Sequence, residues 1–396
     1  MKEKRTLMLG YLVLENDPRV LREAEALRDA GWDVDVIGLG EEGKGRSSIL
    51  SSGIRLLRTK TKKYRGDSTL RYMLSYAIFA IEAIFSVFAQ CFKHRYSTVH
   101  VHTMPDLLAF CALPAKLWGC KVVLDIHDTV PEVYQDKFDC DQKHPLIRFL
   151  LFCEKISARF ADQVITVNYE HADLVNKRTG LKTPPAVIFN AVDQNLFKAR
   201  GIQPQPPLRN LIVHGTLGHR HGIDRLIEAM PKILEKEPET KLRIYGNGDA
   251  VPELRELITK LQLEEAVHLP GKYFPLSEMA EFVSQGDIGI IPYRSTWSTK
   301  YMLPTKLLEY LSVGLAVVTS ETLPIRSMFE GRLKIWDDEN PETLANLVLE
   351  QIRNPDFPPL PREMQWSLHR RELISLYSMM EPKPKTQPTQ QAITNE

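Results

Sequence analysis

Leu303–Ser320 reads LPTKLLEYLSVGLAVVTS, a short helical pattern running straight into an apolar strand. Pro304 suits the first turn of a helix and Gly314 its end. Leu307, Leu308 and Leu311 share an apolar face, and Thr305, Lys306, Glu309 and Ser312 fall together on the other at helical spacing. In an open α/β sheet, ligands bind beyond the carboxyl ends of the strands, where helices begin. A carboxylate such as Glu309 at such an end can accept the hydroxyl hydrogens of a ribose. The plain alternative is a Lys306/Glu309 ion pair at the surface, which would contribute almost nothing.

Outward from this stretch, runs rich in Val, Ile and Leu alternate with helical patterns, the order that predicts parallel sheets with crossover helices. In the first half the expected strands are residues 6–14, 33–39, 98–102, 122–126, 163–167 and 186–189. In the second half they are 210–214, 241–245, 287–291 and 315–319. A chain of 396 residues exceeds one hydrophobic core, so the expectation is two doubly wound domains. The first covers 1–190 and the second 209–361, separated by a proline-rich polar linker, 191–208. A helical pattern over 362–380 follows PDFPPLPRE. The tail 381–396 has no apolar pattern and is expected to be disordered.

Composition narrows the class. The chain is 43% hydrophobic and 26% charged, enough for sizeable cores, and its net charge of +1 argues against nucleic acid as a partner. Five cysteines, none spaced C-x-x-C, suit a reducing cytoplasm and read as packing residues. The opening MKEKRTLMLGYLVLEND reads as a first strand rather than a signal peptide. Leu70–Phe92, LRYMLSYAIFAIEAIFSVFAQCF, approaches the length of a membrane span. Glu82 in its middle argues against spanning, which leaves a core helix, preferred by position between strands, or a helix docked at a membrane surface. Lys60, Lys62, Lys63, Arg65 and Arg71 beside it would favour an anionic leaflet.

Single residues can be read on their own terms. Asp17 is a good N-cap with Pro18 next. No G-x-G-x-x-G follows the first strand. VVLDIHDTVPE ends a strand with His127 between two aspartates, and His102 ends the strand before it. LIVHGTLGHRHGID, with Gly215 and Thr216, is a strand, glycine turn and helix suited to holding an anion on backbone N–H groups. RIYGNGD, with Gly246 and Asn247, is a second such turn. Asp33-Val34-Asp35 begins a predicted strand and reads as structural. No His/Cys cluster has metal-ligand spacing.

The wording P-x-K-L-L-E-Y-L-x-x-G-x-A-V-V resembles the nucleotide-ribose segment of the family 4 retaining glycosyltransferases. Further segments occur in that family's order: NDPRVLREAEALRDAGWDVDVIGL, VVLDIHDTVPE, ADQVITVNYEHADLV with FNAVDQNLF, and HGTLGHRHGIDRLIEA with RIYGNGD. The resemblance spans most of the chain to about Tyr377. It implies a GT-B architecture, two Rossmann-like domains facing a cleft, with the helix over 362–380 packing back on the first domain. It places Glu309 and Thr305 at the donor nucleotide, Gly246 and Asn247 near the base, and His127 at the donor sugar. It is compatible with Asp17 and Arg19 meeting the acceptor, with a helix cap as the alternative for Asp17; His102, by its strand-end position, is an acceptor-side candidate with a structural alternative.

Two departures stand out. Where the family supplies an arginine and a lysine to the diphosphate, this chain has Thr216 and His221, so Arg220 and Lys306 become the expected cations. Where the first acid of the paired-glutamate motif belongs, this chain has Tyr301, with Lys300 beside it. The family is metal-independent, and no cofactor is expected. The implied activity is transfer of a hexose or N-acetylhexosamine from a nucleotide diphosphate sugar to a glycan or lipid-linked acceptor, with retention, in polysaccharide or glycolipid assembly. The implied location is cytoplasmic, with an anionic membrane surface as a partner. A degenerate nucleotide-sugar-binding subunit stays open, as does an inverting transferase or epimerase on the same fold.

Overall fold

The computed structural model describes residues 4–64 and 68–381. Arg65 and nearly all of the tail at 381–396 lie outside the described residues. The chain builds two mainly parallel sheets, the first with an antiparallel edge strand. The first contains β1 (Arg5–Gly10), β2 (Asp33–Gly40), β3 (Ser47–Ile49), β4 (Arg55–Lys62), β5 (Thr98–His102), β6 (Lys121–Ile126), β7 (Gln163–Thr166) and β8 (Ala186–Val187). Their order is β3-β4-β2-β1-β5-β6-β7-β8. The second contains β9 (Asn210–Thr216), β10 (Lys241–Asn247), β11 (Val267–His268), β12 (Ile288–Ile291), β13 (Ala316–Ser320) and β14 (Lys334–Trp336), in the order β11-β10-β9-β12-β13-β14. Reversal of strand order about β1 and about β9 is the doubly wound arrangement, which opens a crevice at the carboxyl ends of the strands on either side.

Strand alternation explains why the second sheet is covered on both faces. Leu211 and Val213 of β9, Ile288 and Ile290 of β12, and Ala316 and Val318 of β13 join one core with Leu226, Met230 and Ile233 of the helix Ile223–Lys236. Ile212, Ile291 and Val317, one residue out of phase, join the other core with Leu307, Leu308 and Leu311 of the helix Thr305–Val313. Both faces are therefore apolar, which is why these strands read as near-continuous hydrophobic runs.

By contacts, the chain divides into two compact units. One holds the described residues of 1–101, 110–123 and 372–396, the other 102–109 and 124–371. In the first, Tyr377 of the helix Trp366–Met380 sets its ring edge-on to Trp32 and its hydroxyl 2.8 Å from His100 Nδ1. In the second, the segment read as a linker is packed: Val192 and Phe197 are buried with Met364, and Val192 bridges Gln365.

Three sequence expectations need correction. The first strand stops at Gly10, and Leu14–Asn16 form a 3-10 turn ahead of the capped helix Pro18–Asp29. The basic run before Leu70 contains strand β4, whose Arg58 is buried against Glu15 and Glu41. Leu70–Phe92 lies in the helix Thr69–Lys93, which is a core helix on one face only. Phe79, Ala83 and Val87 are buried, while Leu74, Ile81, Phe85 and Phe92 are exposed. Asp33-Val34-Asp35 is structural as read: Asp35 accepts two hydrogen bonds from Arg55 and one from Tyr96. All five cysteines are free.

Candidate functional site

The helix Thr305–Val313 starts at Pro304 and ends on Gly314, which takes the left-handed conformation. Its polar row does not face solvent. Lys306 is 9% exposed and crosses the end of β9, where a Cβ on Gly215 would lie 2.6 Å from Lys306 Cε. Gly215 also has φ +103°, so a side chain there is excluded by both space and backbone. Lys306 Nζ sits 5.3 Å from the centre of the Tyr293 ring. One turn along, Glu309 Oε2 lies 3.0 Å from His214 Nε2, and Ser312 Oγ donates to the Phe197 carbonyl at 2.6 Å. A surface Lys306/Glu309 pair is therefore not what this helix makes.

The turn after β9 supplies the second cation. The 3-10 turn His219–His221 follows Gly218, whose N–H donates to His221 Nδ1 at 3.1 Å. Burial, with Lys306 and Arg220 nearby, pushes the His221 pKa down to about 3, so this imidazole is neutral at physiological pH and serves as an acceptor within the turn. Positive charge must come from its neighbours. Arg220 is half-buried, and neither it nor Lys306 has a carboxylate partner among the described residues.

These groups meet in a cavity of about 250 Å³ lined by His127, Thr216, Arg220, Tyr301, Thr305 and Lys306, among others. His127 comes from the end of β6 and is held from beneath. Its Nε2 is 2.9 Å from the fully buried Asp125 carboxylate, and its backbone N–H donates to Thr103 Oγ1 at 3.3 Å. His102, also buried, lies 3.4 Å from the same Asp125 oxygen and 3.3 Å from His127 Nε2. It acts on His127 rather than on the cavity, which it does not line.

A loop completes the wall. Asp136 accepts from Thr296 Oγ1 (2.7 Å), Trp297 N (2.8 Å) and Ser298 N (2.9 Å), and Asn168 Nδ2 donates to the Tyr301 carbonyl at 2.9 Å. These bonds fix the turn that presents Tyr301 and leads into Pro304.

Of the residues singled out in the sequence, His127, Arg220, Lys306, Thr305, Thr216 and Tyr301 come together in the cavity wall. Gly215 seats Lys306, and Gly246 pairs with it in register, its backbone so close that a Cβ would strike the Gly215 carbonyl. Asn247 accepts from the Gly248 N–H, and Glu309 lies deeper, against His214. Asp17 and Arg19 belong to the other unit, where Asp17 caps its helix through Val20 N and Arg19 pairs with Glu23 at 3.2 Å in the interior. His171, Asn190, Tyr293 and Asp128 also line the cavity. His171 and Asn190 stand in segments that carry the family resemblance, but nothing in local spacing marks them.

Two sheets with strand order reversing about β1 and β9, and a cationic cavity at strand ends, define a GT-B glycosyltransferase, a class the comparisons bear out. Residues 17–190 match the family model described as a glycosyl transferase 4-like domain, and residues 209–354 match that of glycosyl transferases group 1. The two matches take in most of the chain, and the protein belongs to this glycosyltransferase type. It is similar to a phosphatidylinositol N-acetylglucosaminyltransferase polypeptide of Arabidopsis thaliana, 24% identical over 304 residues, or 74% of this chain. The chain spans 62% of that relative's length. In fold it resembles the sucrose-phosphate synthase of Thermosynechococcus elongatus, with a TM-score of 0.75 at 17% identity, over 96% of this chain and 99% of that one. It also resembles Anabaena HepE solved with UDP and glucose, with a TM-score of 0.61 at 15% identity, over 96% of each chain.

Proposed function

We propose that the protein transfers a hexose or N-acetylhexosamine from a nucleotide diphosphate sugar to a glycan or lipid-linked acceptor, with retention of configuration and without a metal ion. The observation that carries this reading is the meeting of Lys306 and Arg220, two cations without carboxylate partners among the described residues, in one cavity at the ends of strands. A buried lysine in that state is costly unless an anion visits it, and a departing diphosphate is such an anion. The UDP and glucose bound by the Anabaena protein support a nucleotide-sugar donor. The phosphatidylinositol substrate named for the Arabidopsis relative supports a lipid acceptor.

In this reading Glu309 accepts the ribose hydroxyls, and Lys306, Arg220 and the N–H groups of the turn after Gly215 take up the charge on the diphosphate. His127, held by Asp125, orients the donor sugar. The bond from the anomeric carbon to the diphosphate oxygen breaks as the acceptor oxygen bonds to that carbon from the same face, and the acceptor proton passes to the leaving phosphate. Exclusion of water from the cavity limits hydrolysis.

The test is mass-spectrometric detection of product from a panel of nucleotide sugars and lipid-linked acceptors, with the anomeric configuration read by NMR. Turnover should survive a strong chelator. Loss of activity in EDTA, restored by a divalent cation, would overturn the metal-free assignment, and an inverted product would overturn retention. One observation favours a second reading, a binding subunit without turnover: Tyr301, where the family carries an acid, lines the cavity. Calorimetric binding of a nucleotide sugar with no product would establish it. In either case the proposed location is the cytoplasm.

A further inference from the structure

The helix Thr69–Lys93 has two unlike faces. One packs on the first sheet through Phe79, Ala83 and Val87, all 0% exposed. Glu82, the only acid within the helix, is turned to that side: its Oε2 accepts from Lys60 N at 2.8 Å, Thr61 N at 3.0 Å and Thr61 Oγ1 at 3.1 Å. The carboxylate therefore holds the end of β4 against the helix and leaves the outer face without negative charge.

That outer face is bare. Leu74 (58% exposed), Ile78 (44%), Ile81 (56%), Phe85 (69%), Phe88 (44%) and Phe92 (71%) follow one another at spacings of three and four. At 1.5 Å per residue they form an apolar stripe of about 27 Å. The most apolar stretch of Leu70–Lys93 has a mean hydropathy of 1.7, yet only 17% of it is buried. Trp118, half exposed, widens the stripe, its ring 5.3 Å from Phe88 and 5.5 Å from Phe92. A continuous exposed apolar surface of this kind marks an interaction site.

The charges around it select the occupant. Arg71 stands at one end of the stripe and Lys93 at the other, both exposed. Lys60 and Lys62 are exposed on the strand that Glu82 ties to the helix. Two copies packed face to face along this helix would set cation against cation at both ends, in parallel or antiparallel register alike. An anionic bilayer accepts the apolar stripe and neutralises the cationic margin together.

We propose that the helix Thr69–Lys93, with Trp118, docks this protein on an anionic phospholipid surface, lying in the plane of the interface. The apolar face enters the boundary between headgroups and acyl chains, and the packed face keeps the helix from spanning. This goes beyond the transfer reaction proposed above and stands without it, because it requires no substrate.

The test is flotation of the full chain with phosphatidylcholine vesicles, with and without phosphatidylserine, at low and high salt. Wild type should float with the anionic vesicles and lose binding as salt rises. Ile81→Ser with Phe85→Ser should lower the bound fraction at least about tenfold with an unchanged thermal midpoint, since both side chains are exposed and leave no cavity. Lys60→Ser with Lys62→Ser should weaken anionic binding while leaving the weak binding to neutral vesicles unchanged. Wild type remaining at the bottom of the gradient at low salt overturns the proposal. So does equal flotation with neutral and anionic vesicles. A concentration-dependent dimer abolished by the Ile81/Phe85 pair would instead assign the face to a second copy.

Discussion

Glu309 Oε2 lies 3.0 Å from His214 Nε2, with the two side chains 15% and 5% exposed. His214 belongs to β9, and the Tyr310 ring packs edge-on to its imidazole, so the histidine cannot follow the carboxylate if the helix end shifts. The contact sets one Glu309 oxygen against the imidazole and leaves the other to a ligand. Glu309→Ala should therefore raise the dissociation constant for a nucleoside diphosphate. Each charge-assisted bond to a ribose hydroxyl contributes about 1.5–3 kcal/mol, or roughly ten- to a hundredfold in affinity. His214→Phe, which leaves the carboxylate present but unguided, should cost less. Calorimetry decides: unchanged affinity in Glu309→Ala would remove this helix from the nucleotide site.

Arg220 and Lys306 should behave differently from Thr216, although all three line the same cavity. Only charge offsets a leaving diphosphate, and loss of one such group costs on the order of 10²–10³ in turnover. Arg220→Ala and Lys306→Met are each expected to lower kcat in that range, and Thr216→Ala to lower it less than tenfold. His221→Ala should act through the turn rather than through charge, because its imidazole is neutral, with a pKa of about 3. Equal, small effects at Arg220 and Thr216 in steady-state kinetics would mean that the arginine does not face the phosphates.

How much of this was legible in the sequence depends on how local the cause is. The helix Thr305–Val313 could be read because Pro304, Gly314 and the leucines between them are self-sufficient signals. His127 could be read because strand ends in such sheets carry ligand-binding groups. Strand β4 was hidden: Arg55, Arg58, Lys60 and Lys62 look like a solvated basic run, and Arg58 is buried only because Glu15 and Glu41, far off in sequence, meet it. Asp136, which secures the turn before Tyr301, is 160 or more residues from its partners and carries no local mark. The outer face of the helix Thr69–Lys93 had the composition of a core helix, and composition does not reveal which side lacks a neighbour.

Gly215 sets the path of Lys306, and the pair can be tested as a unit. Gly215→Ala places a Cβ 2.6 Å from Lys306 Cε and forces an alanine to φ +103°. The strain and overpacking should together destabilise by about 2–5 kcal/mol. Adding Lys306→Ala removes the steric part and leaves the backbone part, so the double variant should be more stable than the sum of the single losses implies. Denaturant midpoints for the four proteins of this cycle measure the coupling. Strict additivity would show that the lysine does not lie over Gly215 in solution.

Asp106 carries a pH dependence whose direction can be stated in advance. It is fully buried, and desolvation pushes its pKa from the usual 3.8 up to about 7. Its surroundings include Cys153 and Glu154, the latter itself raised to about 8 by burial despite Arg178. A carboxyl group with a raised folded-state pKa favours folding in its neutral form. Its contribution is complete below pH 3.8 and is lost progressively as pH rises to about 7. Asp106→Asn keeps the shape and cannot ionise, so relative to wild type it should gain no stability below pH 3.8, gain progressively as pH rises from there, and hold the full gain above about 7. A carboxyl raised from 3.8 to about 7 corresponds to a gap of at most about 4 kcal/mol. Urea midpoints of both proteins across that range measure it. A difference that stays flat with pH, or that grows towards acid, would mean that Asp106 is ionised within the folded protein.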